Sequence, residues 1–166
     1  RLARTGALGD AGAEEGDVNE TLPIDDGRCF ACGPFNAEGL HLHFVPEGEE
    51  AVRAEVVLPP RFQGWRGVAH GGIVMMLLDE AMAHACGRLG LRSVTAAMQL
   101  RFREPVPLGV PIVVRGQVRW QRRTVIALEA HVELADGTRL ASGEGSFVSR
   151  GPLGKDRYGI PDGAGR

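Results

Sequence analysis

The stretch of residues 64–86 holds the side chains and backbone groups best suited to chemistry. It reads GWRGVAHGGIVMMLLDEAMAHAC, a glycine pair followed by an almost entirely apolar run that Asp79 and Glu80 interrupt. The run predicts a helix from Gly72 to about Arg88, with Gly90 as a stop signal. Carboxylates on a largely apolar helix must be paired, exposed or functional. One of the two acids is therefore a candidate catalytic group.

The glycine pair at the helix start could stabilise negative charge. The first amides of a helix have no internal acceptor and lie at the positive end of its dipole. Glycine lets a ligand approach these amides, so Gly71 could donate to an oxyanion and Gly72 could contact substrate. A tight turn without chemistry is the alternative. Asp79 lies two turns after Gly72 on the same face, whereas we expect Glu80 on a solvated strip.

The spacing of Gly71 and Asp79 predicts an oligomer. Eight residues separate them, which is roughly 12 Å at a rise of about 1.5 Å per residue. An attacking atom and an oxyanion donor must both lie about 3 Å from one reacting carbonyl. If the two residues act together, Gly71 of one subunit must face Asp79 of another. We therefore expect a homodimer, or a dimer of dimers, with equivalent sites between subunits.

Alternating apolar and polar residues predict strands on both sides of this helix. Two strands precede it and four follow it: GLHLHFVP, AVRAEVVLP, SVTAAMQLRFREPVP, PIVVRGQVRWQ, TVIALEAHVEL and TRLASGEGSFVS. The order β-β-α-β-β-β-β predicts an α+β fold in which a curled antiparallel sheet wraps one long central helix. The domain is predicted over residues 23–149. Residues 1–22 are interpreted as a loosely attached tail and 150–166 as an irregular one.

Three details of the strands can be checked. In the first strand after the helix, Thr95 is predicted on the face opposite Val94, Ala96, Met98, Leu100 and Phe102. Asp136-Gly137 predicts a hairpin turn between the last two strands. Gly143 and Gly145 within the last strand suggest close approach of another backbone.

The quoted stretch resembles the hotdog-fold acyl-CoA thioesterases. The resemblance is to the branch with a His-Gly-Gly motif and an acid nine positions after the histidine, as in phenylacetyl-CoA (PaaI-type) thioesterases. His70 and Asp79 have this spacing. The segments VTAAMQLRFREPVPLG and CFACGPFNAEGLHLHF resemble further parts of the same branch, so the similarity extends from about Cys29 to Phe147.

The resemblance implies hydrolysis of an acyl-CoA thioester. By position, the Gly71 N–H would polarise the carbonyl, and Asp79 of the neighbouring subunit would be general base or nucleophile. Thr95 would orient the water. His70 would shape the loop near the site, or simply fix the turn. Residues that could line the acyl pocket, or only pack the loop, are Phe62, Trp65, Met75 and Met76.

Two other classes of function remain open from the sequence. A non-catalytic hotdog protein could bind acyl-CoA as a sensor or carrier, although such a protein needs no carboxylate on this helix. A hydratase-type hotdog enzyme could act on enoyl-CoA, for which we expect an Asp and His pair in a different motif. An acyl-carrier-protein thioester is a further possible substrate, and the acyl group is not specified.

The pair Cys29-x-x-Cys32 could belong to a zinc site or a redox pair. A structural zinc site uses four ligands, and His41 and His43 could supply two. These histidines alternate with apolar residues, which indicates the polar face of a strand. The interpretation without a metal is therefore favoured, and no cofactor is expected besides the coenzyme A of the substrate.

Composition excludes several classes of partner. The net charge of −2 leaves no basic footprint for nucleic acid, and the apolar run near residues 71–78 is too short to span a membrane. Three cysteines do not indicate a disulfide scaffold, so a cytoplasmic location is expected. Four arginines could meet the phosphates of coenzyme A or form a solvated face: Arg101, Arg103, Arg122 and Arg123.

Overall fold

The computed structural model describes residues 26–153, which form one helix and one six-stranded antiparallel sheet. The helix α1 spans Gly71–Arg88, and a short 3₁₀ turn at Pro60–Phe62 precedes it. The order across the sheet is β1-β2-β4-β5-β6-β3, so β3 lies at one edge. The strands are β1 (Val45–Pro46), β2 (Ala51–Val57), β3 (Leu91–Phe102), β4 (Pro111–Arg122), β5 (Val125–Leu134) and β6 (Arg139–Pro152).

The core lies between α1 and the concave face of the sheet. The helix contributes residues at spacings of three and four, so that one broad stripe is buried: Val74, Leu77, Leu78, Ala81, Met82, Ala85 and Cys86. Strand β5 buries every second residue, as its alternation predicts: Ile126, Leu128, Ala130 and Val132. The predicted α+β architecture, a curled antiparallel sheet around one helix, is confirmed.

The first predicted strand is wrong over most of its length. Only Val45–Pro46 of the segment GLHLHFVP forms a strand. His41 has a φ of 50°, a left-handed conformation that breaks an extended chain, and the amide of Leu42 donates to Ala31 O at 2.9 Å. The alternation of burial nevertheless persists, with Leu42 buried and its histidine neighbours exposed. The alternation of apolar and polar residues in this segment therefore predicted which side chains are buried, but it did not predict the backbone conformation.

The ends of the predicted elements shift slightly. Helix α1 begins at Gly71, one residue earlier than expected. Strand β6 continues to Pro152, so residues 150–152 of the predicted irregular tail are strand. The amide of Leu153 then donates to Gly90 O at 2.7 Å, which ties the chain to the end of α1. The tail predicted for residues 1–22 lies outside the described residues.

A bulge in β3 changes which face its first half presents. Thr95 pairs with Phe147 of β6, whereas Ala97 pairs with the preceding residue Ser146, so Ala96 is the extra residue. Phe147 is buried beneath the helix, and Thr95 opposite it points to the same side. The predicted alternation, which put Thr95 on the face opposite Met98, is therefore wrong, because a bulge reverses the side-chain alternation beyond it.

Close approach between elements occurs at three glycines. A Cβ at Gly116 in β4 would lie 2.3 Å from the carbonyl oxygen of Ala81, so the helix backbone rests directly on this strand. At Gly143 a Cβ would lie 2.6 Å from the Leu100 side chain, and at Gly145 it would lie 3.0 Å from Met82 Sδ. The glycines of β6 thus make room mainly for side chains, and the backbone contact lies instead at β4.

The hairpin predicted at Asp136-Gly137 is present. Gly137 has a φ of 86°, and the amide of Leu134 donates to Thr138 O at 3.0 Å. Asp136 accepts the Thr138 amide at 2.8 Å, which lowers the pKa of its carboxyl group. Within residues 26–153, no helix has the length and apolar character needed to cross a bilayer.

Candidate active site

Asp79 and Thr95 form a hydrogen-bonded pair between α1 and β3. Thr95 Oγ1 donates to Asp79 Oδ1 at 2.7 Å. The bulge at Ala96 turns Thr95 toward the helix and makes this contact possible. Asp79 is half-buried and Thr95 is exposed, so the pair lies at the surface of this subunit, at the sheet edge. A carboxylate oriented in this way can accept a proton from a bound water.

The start of α1 is held in place by His70. Its Nδ1 accepts the Gly72 amide at 3.0 Å, which makes His70 the N-cap, and its own amide donates to Phe62 O at 2.8 Å. The Gly72 N–H is therefore occupied by the cap. The Gly71 N–H is the first of the helix, lacks an acceptor four residues earlier within it, and belongs to an exposed residue. Of the two glycines, Gly71 is the better placed oxyanion donor.

The apolar residues proposed for the acyl pocket occupy different surroundings. Phe62 is only 7% exposed and meets Phe30 edge-on at 6.1 Å, so it packs the loop into the core. Trp65 is 86% exposed and Met75 is 46% exposed, whereas Met76 is half-buried against the core. Sequence reasoning missed Phe102 as a site residue: its ring lies 3.8 Å from where a Gly71 Cβ would be.

Glu80 does not lie on a solvated strip, and that prediction is wrong. Its side chain is 16% exposed and contacts His84 Nε2 at 3.2 Å. Its other carboxylate oxygen lies 3.9 Å from Cys29 Sγ. Burial, and then the hydrogen bond and charge of Glu80, raise the pKa of the Cys32 thiol far above its ordinary range. The spacing of Glu80 and His84, four residues apart on a helix, was the signal available in the sequence.

The four candidate arginines do not form one cluster. Arg101 and Arg103 line a cavity of about 590 Å³ together with His131, and burial and the nearby Arg139 lower the pKa of that histidine. Arg122 instead lies over the Trp120 ring at 5.9 Å. A second cavity of about 530 Å³ is lined by Trp120 and its neighbours. Neither lining includes the half-buried Asp79 or the exposed Gly71.

The arrangement can activate a water and offer an amide to developing negative charge. The carboxylate of Asp79 is oriented by a hydroxyl, and the cap leaves the first helix amide free to donate. Both groups belong to one continuous helix, so the separation of roughly 12 Å remains.

The chain belongs to the thioesterase superfamily, whose family model matches residues 66–141. The matched range contains His70, Gly71, Asp79 and Thr95. The "Putative esterase SSO2140" of Saccharolobus solfataricus is 33% identical over 102 residues, which are 59% of this chain and 72% of that protein. The "MIOREX complex component 3" of Saccharomyces cerevisiae is 30% identical over 66% of this chain, and the match spans only 41% of the yeast protein.

Several solved structures share the fold of this chain. The thioesterase superfamily protein RHA08564 has a TM-score of 0.70 and 29% identity, over 75% of this chain and 68% of its own. The E. coli PaaI protein of the phenylacetic acid degradation operon has a TM-score of 0.64 and 22% identity, over 68% and 82%. A hypothetical thioesterase protein with coenzyme A from Streptococcus pneumoniae TIGR4 has a TM-score of 0.64 and 18% identity, over 68% and 91%. The hotdog fold is thus confirmed.

Proposed function

We propose that the protein hydrolyses acyl-CoA thioesters to a free acid and coenzyme A. The observation that carries the proposal is the hydrogen bond of 2.7 Å from Thr95 to Asp79. A hydroxyl that fixes a carboxylate at an exposed surface suits a base acting on water. Membership of the thioesterase superfamily supports the reaction class, and the coenzyme A bound to the structural relative supports the carrier.

The proposed chemistry uses three groups. A water held by Thr95 and Asp79 attacks the thioester carbonyl carbon, and Asp79 takes one proton from the water. The carbonyl oxygen becomes negative and accepts a hydrogen bond from the Gly71 N–H of the other subunit. The carbon–sulfur bond then breaks, and the coenzyme A thiolate leaves and recovers the proton from Asp79. Direct attack by Asp79 as nucleophile would give the same products through an anhydride.

The reaction site is proposed to form between two copies of the chain. Asp79 and Gly71 lie too far apart along α1 to act on one carbonyl, as the separation of roughly 12 Å requires. The sheet edge at β3 and the exposed apolar residues Trp65, Met75 and Phe102 support pairing at this surface. A homodimer, alone or within a dimer of dimers, would give two equivalent sites.

The proposal is tested with a panel of aromatic, medium-chain and long-chain acyl-CoAs, with release of coenzyme A followed by a thiol-reactive dye. We expect at least one ester to be hydrolysed, and Asp79→Asn to lower kcat/KM by about 100-fold or more, because the base is removed. Asp136→Asn makes the same chemical change in the exposed β5–β6 turn and should leave the rate unaltered. Binding of the esters without release, or an Asp79→Asn variant as fast as the parent, would contradict the proposal.

A further inference from the structure

Three side chains that the proposed hydrolysis does not use meet beside α1, and a fourth contacts one of them. Cys29 and Cys32 come from the turn that precedes β1, and Glu80 and His84 come from the helix. One ligand atom of each cysteine and of Glu80 lies within 4.8 Å of the other two. All four side chains are half-buried. Their chemical types are those that bind zinc: thiolate, imidazole and carboxylate.

The turn 29–33 holds both cysteines in a fixed geometry. The Ala31 amide donates to Cys29 Sγ at 3.4 Å, and the Gly33 amide donates to Cys29 O at 2.9 Å. A Cβ at Gly33 would lie 2.3 Å from the Cys29 nitrogen, so only glycine fits this tightly folded position. An amide directed at sulfur stabilises the negative charge that a ligating thiolate carries. The sequence C-x-x-C-G is thus used to place two sulfur atoms toward α1.

Glu80 bridges the cysteines and the histidine. Its Oε2 lies 3.9 Å from Cys29 Sγ, and its Oε1 lies 3.2 Å from His84 Nε2. The His84 ring is itself stacked on Phe44, with centroids 4.6 Å apart and an interplanar angle of 26°. His84 and Cys32 line one cavity of about 260 Å³. The imidazole is therefore held beside the carboxylate by packing from the segment that follows the cysteines.

We propose that Cys29, Cys32, Glu80 and His84 bind one zinc ion that fastens the N-terminal segment to α1. Ligands at about 2.3 Å for sulfur and about 2.0 Å for oxygen around a tetrahedron lie about 3.5 Å apart. The separation of Cys29 Sγ and Glu80 Oε2 exceeds this by a few tenths of an ångström, within the range of small side-chain adjustments. His84 Nε2 lies beside the other carboxylate oxygen, outside the group of three ligand atoms, so its ring must turn toward the ion to bind it. Two thiolates and an imidazole select zinc over magnesium or calcium, which prefer oxygen ligands.

The cluster suits a metal better than a redox pair. Reactive cysteines lie in electropositive surroundings that favour the thiolate. Here the Glu80 carboxylate lies 3.9 Å from Cys29 Sγ, and negative charge beside a sulfur atom disfavours a nucleophilic thiolate. The sequence-based interpretation without a metal considered only His41 and His43 as possible histidine ligands of a zinc ion. In the structure both are exposed, and the helix supplies the other two ligands instead.

The test measures zinc in the full chain, purified without an affinity tag or chelator and under reducing conditions. We expect about one zinc per chain by elemental analysis, as a four-ligand site requires. Cys29→Ser, Cys32→Ser and Glu80→Gln should each lower the zinc content strongly. Cys86→Ala should keep it, because Cys86 is buried in the helix core outside the cluster.

Cobalt substitution keeps the test decisive if a variant folds poorly. The parent protein, stripped of metal and loaded with Co²⁺, should show cobalt–thiolate charge-transfer absorption, which Cys86→Ala should preserve. The proposal is overturned if the parent neither contains zinc nor takes it up on titration. It is also overturned if the Cys29→Ser, Cys32→Ser double variant binds zinc as the parent does. Neither result bears on hydrolysis at Asp79, because the four ligands lie outside that site.

Discussion

At the scale of single residues, the site depends on one hydroxyl. Thr95 Oγ1 donates a hydrogen bond to Asp79 Oδ1, which orients the half-buried carboxylate. The two neighbouring acids of α1 thereby acquire different surroundings. Asp79 meets a hydroxyl at the sheet edge, whereas Glu80 meets a histidine and a cysteine in a half-buried cluster. One step along the helix, about 100° of rotation, separates the two chemistries.

Removing the Thr95 hydroxyl should slow the reaction without unfolding the protein. We expect Thr95→Val to lower kcat about tenfold to a hundredfold, since a hydrogen bond to a charged group is worth roughly 1.5–3 kcal/mol. Thr95→Ser should retain most activity because it keeps the donor. Thr124→Val alters an exposed threonine in the β4–β5 turn and should change nothing. The measurement is kcat for the best thioester substrate by steady-state kinetics. An equal loss of kcat in Thr95→Ser and Thr95→Val would contradict a role for the hydroxyl group.

At the scale of elements, the sequence predicted the helix and most strands but not their irregularities. The long apolar run and the alternation in β5 predicted both elements, because periodicity reports burial directly. The bulge at Ala96 could not be predicted from the sequence, because the extra residue does not interrupt the local alternation of apolar and polar residues. His41 likewise broke a strand whose side chains still alternate. Glu80 was misplaced because Cys29 comes from a distant turn and the spacing of four residues to His84 was not used.

The contact between α1 and β4 should be intolerant of any side chain. Gly116→Ala would place a Cβ 2.3 Å from the Ala81 carbonyl oxygen, and backbone cannot move aside as a flexible side chain can. We expect a loss of about 1–3 kcal/mol or more in the free energy of unfolding. Gly87→Ala, with nothing within 4 Å of the added carbon, should instead stabilise the helix by roughly 0.5–1 kcal/mol. Urea denaturation measures both; an unchanged Gly116→Ala midpoint would refute the close contact.

At the scale of the whole molecule, the proposed reaction requires a second copy of the chain, because Gly71 and Asp79 lie roughly 12 Å apart along one helix. A sheet edge at β3, the exposed Thr95 on that strand and the exposed Phe102 ring beside the helix start occur together. The spacing of Gly71 and Asp79 predicts a site shared between subunits from the sequence alone, because helix geometry fixes the distance, and this stays a prediction. The identity of the exposed residues could not be predicted, since Phe62 and Trp65 come from one loop but face opposite surroundings.

The shared site can be tested by combining two inactive subunits. Asp79→Asn removes the base, and Gly71→Pro removes the oxyanion donor. Proline is tolerated at the first position of a helix, and His70, with a φ of −61° and a ψ of 137°, has the conformation that a residue before proline requires. Each variant alone should form an inactive homodimer. Two different affinity tags allow the mixed dimer to be purified.

Release of coenzyme A by this mixed dimer tests the central claim most directly. If Gly71 of one subunit acts with Asp79 of the other, the mixed dimer contains one intact site and one site lacking both groups. It should then recover about half of the parent activity per dimer, as two-fold symmetry requires. A mixed dimer that is as inactive as the Asp79→Asn and Gly71→Pro homodimers would contradict a site shared between subunits.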